Sequence, residues 1–165
     1  MIRRHLARLA REQRGVATIE FALLSVLFFF VMTAGLDIGM WYQQRLRLDS
    51  AVEQGGMIAF NSRASVDPVA IKTYVEAAAK LAAAPTVTIT CNGGTCANTG
   101  RTCACISGSG PTYTTAACNA TCADGSLAGY YLKVNAVATS STMLVPAAML
   151  GGNMTQTRNA LVRLQ

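Results

Sequence analysis

Six cysteines fall between residues 91 and 122 in the spacing C-x4-C-x6-C-x-C-x12-C-x3-C: Cys91, Cys96, Cys103, Cys105, Cys118 and Cys122. Thiols this dense bind metal, carry redox chemistry or cross-link a chain, and their surroundings decide between these. The single histidine, His5, lies far away near the N-terminus, which excludes a Cys/His metal site. An all-cysteine zinc or iron–sulfur site would call for paired C-x2-C knuckles, and none is present. An even number of cysteines in a short, glycine- and threonine-rich stretch reads as three disulfides. Fifteen pairings are open. Cys103 and Cys105 are too close to favour each other, so each is expected to reach elsewhere.

Other chemistry-bearing residues are scattered. Glu53, Asp67, Glu76 and Asp124 show no paired-carboxylate spacing, and with histidine confined to position 5 no Ser/His or Cys/His constellation forms. Gly93-Gly94 and Gly108-Ser109-Gly110 lack the surroundings of a P-loop or dinucleotide fingerprint and read as turns between cysteines. The chain is therefore expected not to be an enzyme, and no cofactor or metal is expected.

The most informative acid is Glu20. It stands inside the apolar run Val16–Leu36 as its single ionisable residue. As a helix this run is about 30 Å long, enough to cross a bilayer core. A carboxylate at the bilayer centre costs roughly 2.5–3.5 kcal/mol on insertion scales, and less near the interface, so an acid here needs a reason. Its distance from Gly15 supplies one. Cleavage after Gly15 would make Val16 the first residue and Glu20 the fifth.

A short basic leader ending in Gly, followed by an apolar helix with Glu at its fifth position, resembles the type IV prepilin class. The stretch Gly15-Val16-Ala17-Thr18-Ile19-Glu20-Phe21 is most similar to the TadE/TadG-like minor pseudopilins of the tight-adherence (Tad/Flp) pilus system. Their clearest mark is a Gly followed five residues later by Glu and then an aromatic. Thr157–Arg163 resembles the C-terminal strand of that family, while the cysteine-rich middle departs from its short motif. The resemblance implies leader removal by a prepilin peptidase at Gly15 and Val16, with Glu20 and Phe21 serving assembly and recognition. It also implies contacts with other pilins or pseudopilins and with pilus-assembly platform proteins. The amine freed on Val16 titrates near pH 7.7–8.0 in a model chain. Glu20 would pair with it, or with that of a neighbouring subunit.

Two plainer readings compete. The basic stretch and apolar run also describe a signal anchor that keeps its leader and displays a disulfide-stapled extracytoplasmic binding domain. A secretory signal cut near Thr33-Ala34-Gly35 meets the small-x-small pattern only in part, and Glu20 would be a defect in it. The charge distribution gives direction. Residues 1–15 carry five arginines and one glutamate, whereas 16–165 carry nine basic and seven acidic residues. The positive end is expected to stay cytoplasmic, in a single-pass inner-membrane topology with the C-terminal portion periplasmic. With no basic patch interleaved with aromatics in the soluble part, no nucleic-acid partner is expected.

The division that follows is a leader over 1–15, a transmembrane helix with an amphipathic extension over 16–60, and an exported α+β domain over 61–165 carrying the insertion 91–122. Trp41 and Tyr42 sit at the level of an outer aromatic belt. Trp41, Leu48, Val52 and Ala59 form an apolar stripe, with Arg45 and Arg47 on the wet side. Gly55-Gly56 predicts a bend or a close approach. Asn61–Ser65 reads as a turn. Asp67 and Pro68 predict the start of a second helix, with Ile71, Val75, Ala78 and Ala82 on one face, a Glu76–Lys80 pair, and Pro85 as the stop. Thr86–Thr90, Gly129–Thr139 and Gln156–Leu164 alternate as strands of an antiparallel sheet. Tyr130, Leu132, Val134, Ala136 and Ala138 face one way in the second strand. The connection 140–153 is expected to pack through Met143, Leu144, Met149 and Leu150.

Overall fold

The computed structural model describes residues 13–108, 111–140 and 154–165. Most of the leader, together with Met143, Leu144, Met149 and Leu150, lies outside the described residues. The architecture is α+β: a long apolar N-terminal helix, a short second helix, a three-stranded antiparallel sheet, and a two-stranded hairpin within the cysteine-rich region.

Helix α1 (Gln13–Asn61) runs through the apolar segment and on into the soluble part without interruption. Its two halves bury differently. From Val16 to Val31 nearly every large apolar side chain is exposed, Phe21 at 73%. From Leu48 onward, Leu48, Ala51, Val52 and Ala59 are buried against the rest of the molecule. The apolar half is long and hydrophobic enough to cross a membrane. Its hydroxyls need no outside partner: Ser25 Oγ donates to the Ala22 carbonyl at 2.8 Å and Thr33 Oγ1 to the Phe30 carbonyl at 2.9 Å. Internal satisfaction of this kind is what a hydrocarbon environment demands.

Gly55 and Gly56 mark close packing, not a bend. A Cβ at Gly55 would lie 2.5 Å from Val75 Cγ2, and one at Gly56 would lie 3.0 Å from Val162 Cγ2. The two glycines let α1 lie against helix α2 (Pro68–Ala78) on one side and against strand β5 (Met154–Arg163) on the other. The stripe read from the sequence therefore packs on the chain's own domain.

Asp67 caps α2 by accepting from the backbone N–H groups of Val69 and Ala70, both at 3.0 Å, with Pro68 at the first position. The end of α2 differs from expectation. Ala79 is the C-cap and Lys80 has φ +47°, so the helix stops before Ala82, which is exposed. The expected Glu76–Lys80 pair does not form; Glu76 instead faces Lys72 at 3.9 Å. The cause is topological, because the chain must reverse at Lys80 to bring Thr86 alongside Val137.

Strands β1 (Thr86–Cys91), β4 (Tyr131–Ser140) and β5 form the main sheet with β4 in the centre. The register places Val134 between Ile89 and Ala160, and Leu132 between Cys91 and Val162. Leu132, Val134, Ala136 and Ala138 are buried beneath α1, with α2 lying over the neighbouring β1, as the alternation predicts. Leu48, Val52, Ile71, Val75, Leu132 and Val134 are fully buried. Each contributes about 1.5–3 kcal/mol of transfer free energy. The small hairpin of β2 (Cys103–Ser107) and β3 (Thr112–Ala116) has no counterpart in the strand pattern expected from sequence.

Candidate functional site

Gly15 and Val16 lie near the start of α1, two and three residues after Gln13. Nothing comes within 4 Å of the position a Gly15 Cβ would occupy. The glycine is thus not required by packing inside this chain. Val16, Glu20 and Phe21 are all exposed. Residues 16 and 20 are one helical turn apart, so their side chains share a face. Among the described residues Glu20 forms no ion pair within the chain. The structure thus brings the N-terminal candidates together on a stretch of helix that the domain leaves bare. Phe28 and Phe29 add an edge-to-face contact at 6.0 Å further along that stretch.

The cysteines form a second, separate group. Cys91 is bonded to Cys96, Cys103 to Cys118 and Cys105 to Cys122, with Cα separations of 4.8, 4.9 and 5.6 Å. All six sulfurs are consumed, so none is left as a metal ligand or a reactive thiol. Cys103 and Cys105 point from one strand to the same loop, which fixes β2 to residues 118–122. The main-chain bonds Ala104 N–H to Gly129 C=O, 2.9 Å, and Gly129 N–H to Ala104 C=O, 3.1 Å, then join β2 to the start of β4. At the loop tip the Asp124 carboxylate accepts from Ser126 Oγ at 2.7 Å and Ser126 N–H at 3.0 Å. Those bonds hold its pKa below the usual carboxylate range.

Three residues that local sequence patterns do not single out dock this insertion onto the helices. Asn98 accepts from Val66 N–H at 2.8 Å and donates to Val66 C=O at 3.0 Å. Arg101 donates to the carbonyls of Arg63 (2.6 Å), Ala64 (3.2 Å) and Ala97 (3.0 Å), with its guanidinium over the Tyr130 ring at 5.1 Å. The Tyr130 hydroxyl in turn accepts from Ala97 N–H at 2.9 Å. The bonds of Asn98 to Val66, of Arg101 to Arg63 and Ala64, and of Tyr130 to Ala97 each span more than thirty residues of sequence, and only Tyr130 carried a hint, through its inward place in the strand alternation. Through these bonds residues 97–101 of the insertion are docked on the corner between α1 and α2.

Two features therefore stand apart: a bare apolar helix carrying Gly15, Val16, Glu20 and Phe21, and a braced disulfide domain. The first is consistent with a single-pass membrane anchor. Comparison with known proteins bears on the same segment. The family model described as TadE-like protein matches residues 15–57, beginning at Gly15 and running almost to the end of α1. No curated protein and no solved structure matches the chain. Over residues 15–57 the N-terminal helix of this chain is similar to the TadE-like family.

Proposed function

We propose that this protein is a minor pseudopilin, trimmed by a prepilin peptidase after Gly15 and taking part in assembly of a Tad/Flp-type pilus or a related secretion apparatus. The observation that carries the reading is what meets at Gly15. The family match starts there, the apolar run of the sequence follows it directly, and no neighbour packs against the glycine. In this reading the domain sits outside the inner membrane, and the chain is the substrate of an enzyme and not itself a catalyst.

Trimming changes the electrostatics of the helix end. In the intact chain Val16 contributes an ordinary helical amide. After cleavage it carries a free amine at a new helix N-terminus, with Glu20 one turn away. A carboxylate near a helix N-terminus is favoured by the helix dipole, by about 0.3–1 kcal/mol at exposed sites. In a membrane it has few partners besides an amine, on its own chain or on a neighbouring pilin, so pairing favours docking of helices in register.

Glu20→Gln tests this by separating processing from assembly. The peptidase reads the leader and Gly15, so trimming should persist. The amide inserts more easily than the carboxylate, yet pilus or secretion output should fall, because a charge-assisted bond is roughly twice as strong as a neutral one. Normal output with normal trimming contradicts the assembly role of Glu20.

A further inference from the structure

Where α1 passes from its bare apolar stretch to the domain, it meets β5 and encloses a recess of about 190 Å³ lined by Trp41, Arg45, Thr155, Gln156, Thr157 and Arg158. The walls are rich in donors. Trp41 Nε1 is buried without a hydrogen-bond partner. The Arg45 guanidinium lies over the Trp41 ring at 5.7 Å. Arg158 comes from the opposite wall; its Nε is 3.5 Å from Asp49 Oδ1, an ion pair not aligned as a hydrogen bond. Gln156 is 6% exposed and donates through Nε2 to the Trp41 carbonyl at 3.3 Å, which leaves Oε1 as a buried acceptor without a donor.

A buried polar atom without a partner is costly and rare in a folded protein. Two such atoms at one recess, Trp41 Nε1 and Gln156 Oε1, beside an Arg158 Nε held only by a long ion pair, indicate a missing partner. The chemistry of that partner follows from the walls. Two guanidinium groups face one nearby carboxylate, that of Asp49, so an anion is favoured. Asp37, one turn closer to the apolar stretch, is buried and already engaged. The indole N–H suits an anionic oxygen, and Gln156 Oε1 suits a hydroxyl or ammonium group attached to the anion; Thr155 and Thr157, exposed and alternating with Gln156 and Arg158, only border the recess.

Position selects the source. Trp41 is five residues beyond Leu36, about 7.5 Å along the helix. The polar band on each side of a bilayer core is about 5–7.5 Å deep, so Trp41 stands at its outer edge. Helical side chains lean toward the helix N-terminus, which aims Arg45 back at the membrane. We infer that this recess holds the phosphate of a phospholipid headgroup from the leaflet nearest the domain, clamped between Arg45 and Arg158 and capped by the Trp41 indole. The site would fix the height and rotation of the domain on the bilayer. The inference rests on the membrane-anchored reading of α1 and is independent of trimming at Gly15.

The test is native mass spectrometry of the full chain, purified in detergent and stripped of lipid, with phosphatidylglycerol, a diacylglycerol of the same acyl chains, or inorganic phosphate added. The wild type should retain one phosphatidylglycerol. Trp41→Phe, which keeps the ring and its stacking on Arg45, and Arg45→Gln should each weaken that binding at least about tenfold, while diacylglycerol and inorganic phosphate bind no better than to the variants. Wild-type binding by Trp41→Phe, equal binding of diacylglycerol, or inorganic phosphate held as tightly as the lipid would each overturn the inference. Alkaline extraction of membranes scores the anchor separately. Loss of lipid binding in a chain that stays in the membrane therefore counts against this site alone.

Discussion

Gly55 lies so close to Val75 that a Cβ on the glycine would sit 2.5 Å from Cγ2 of the valine. Val75 is fully buried and its β-branched side chain has little freedom to retreat. The contact joins α1 to α2 where the long helix packs into the domain.

Gly55→Ala should therefore destabilise the domain by up to about 2 kcal/mol net, from an overpacking cost of about 1–3 kcal/mol. The gain of about 1 kcal/mol in helix propensity offsets part of that cost. Gly39→Ala is the control, since nothing lies within 4 Å of its Cβ position; it should be neutral or slightly stabilising. Thermal unfolding in detergent with the disulfides intact compares the two.

Asn98→Ala should cost about 1–3 kcal/mol, because it strips partners from both the N–H and the C=O of the buried residue Val66. Hydrogen exchange should show the loss first at the corner between α1 and α2 and at residues 95–101, with the β4–β5 ladder still protected. Uniform loss across the sheet would mean that the insertion is not docked through Asn98.

What could be read ahead of the structure was what repeats locally. The alternation of Leu132, Val134, Ala136 and Ala138 gave the central strand and its inward face, and the Asp67-Pro68 pair gave the start of α2. The β2–β3 hairpin was illegible because Cys-Ala-Cys-Ile-Ser and Thr-Tyr-Thr-Thr-Ala bury little apolar surface; disulfides and cross-strand bonds hold them instead. The end of α2 was misplaced because the reversal at Lys80 answers to the pairing of Thr86 with Val137. Asn98 and Arg101 act across more than thirty residues, a distance at which no local pattern operates. The N-terminal candidates were legible because their spacing is itself the signal.

The three disulfides should be recovered by non-reducing peptide mapping as Cys91–Cys96, Cys103–Cys118 and Cys105–Cys122, with no thiol labelled under denaturing, non-reducing conditions. Replacing both Cys105 and Cys122 by Ser opens a bridge of sequence separation 17. That should cost about 3 kcal/mol on the loop-entropy scale. Removing Cys91–Cys96, with a separation of 5, should cost less.

Asp124 gives the insertion a defined pH response. The Ser126 hydroxyl and then its N–H favour the carboxylate, so the folded pKa lies below the unfolded one. The resulting stability is present above the unfolded value and is lost as pH falls through the folded value. The side chain is fully exposed, so the effect is local to the loop tip. A carboxyl NMR titration should show Asp124 below the ordinary range, and Ser126→Ala should bring it back toward that range.

Gly15→Leu should block leader removal while leaving membrane insertion and the folded domain intact, since no neighbour contacts that position. Normal trimming of this variant, in cells holding the matching peptidase, contradicts the assigned cut site.

The most direct measurement is the intact mass of the wild-type protein extracted from membranes of cells that carry the pilus machinery. The account predicts a chain lacking residues 1–15 and beginning at Val16. A chain that keeps those residues while its domain is exported and oxidised contradicts the pseudopilin reading and leaves a signal-anchored domain in its place.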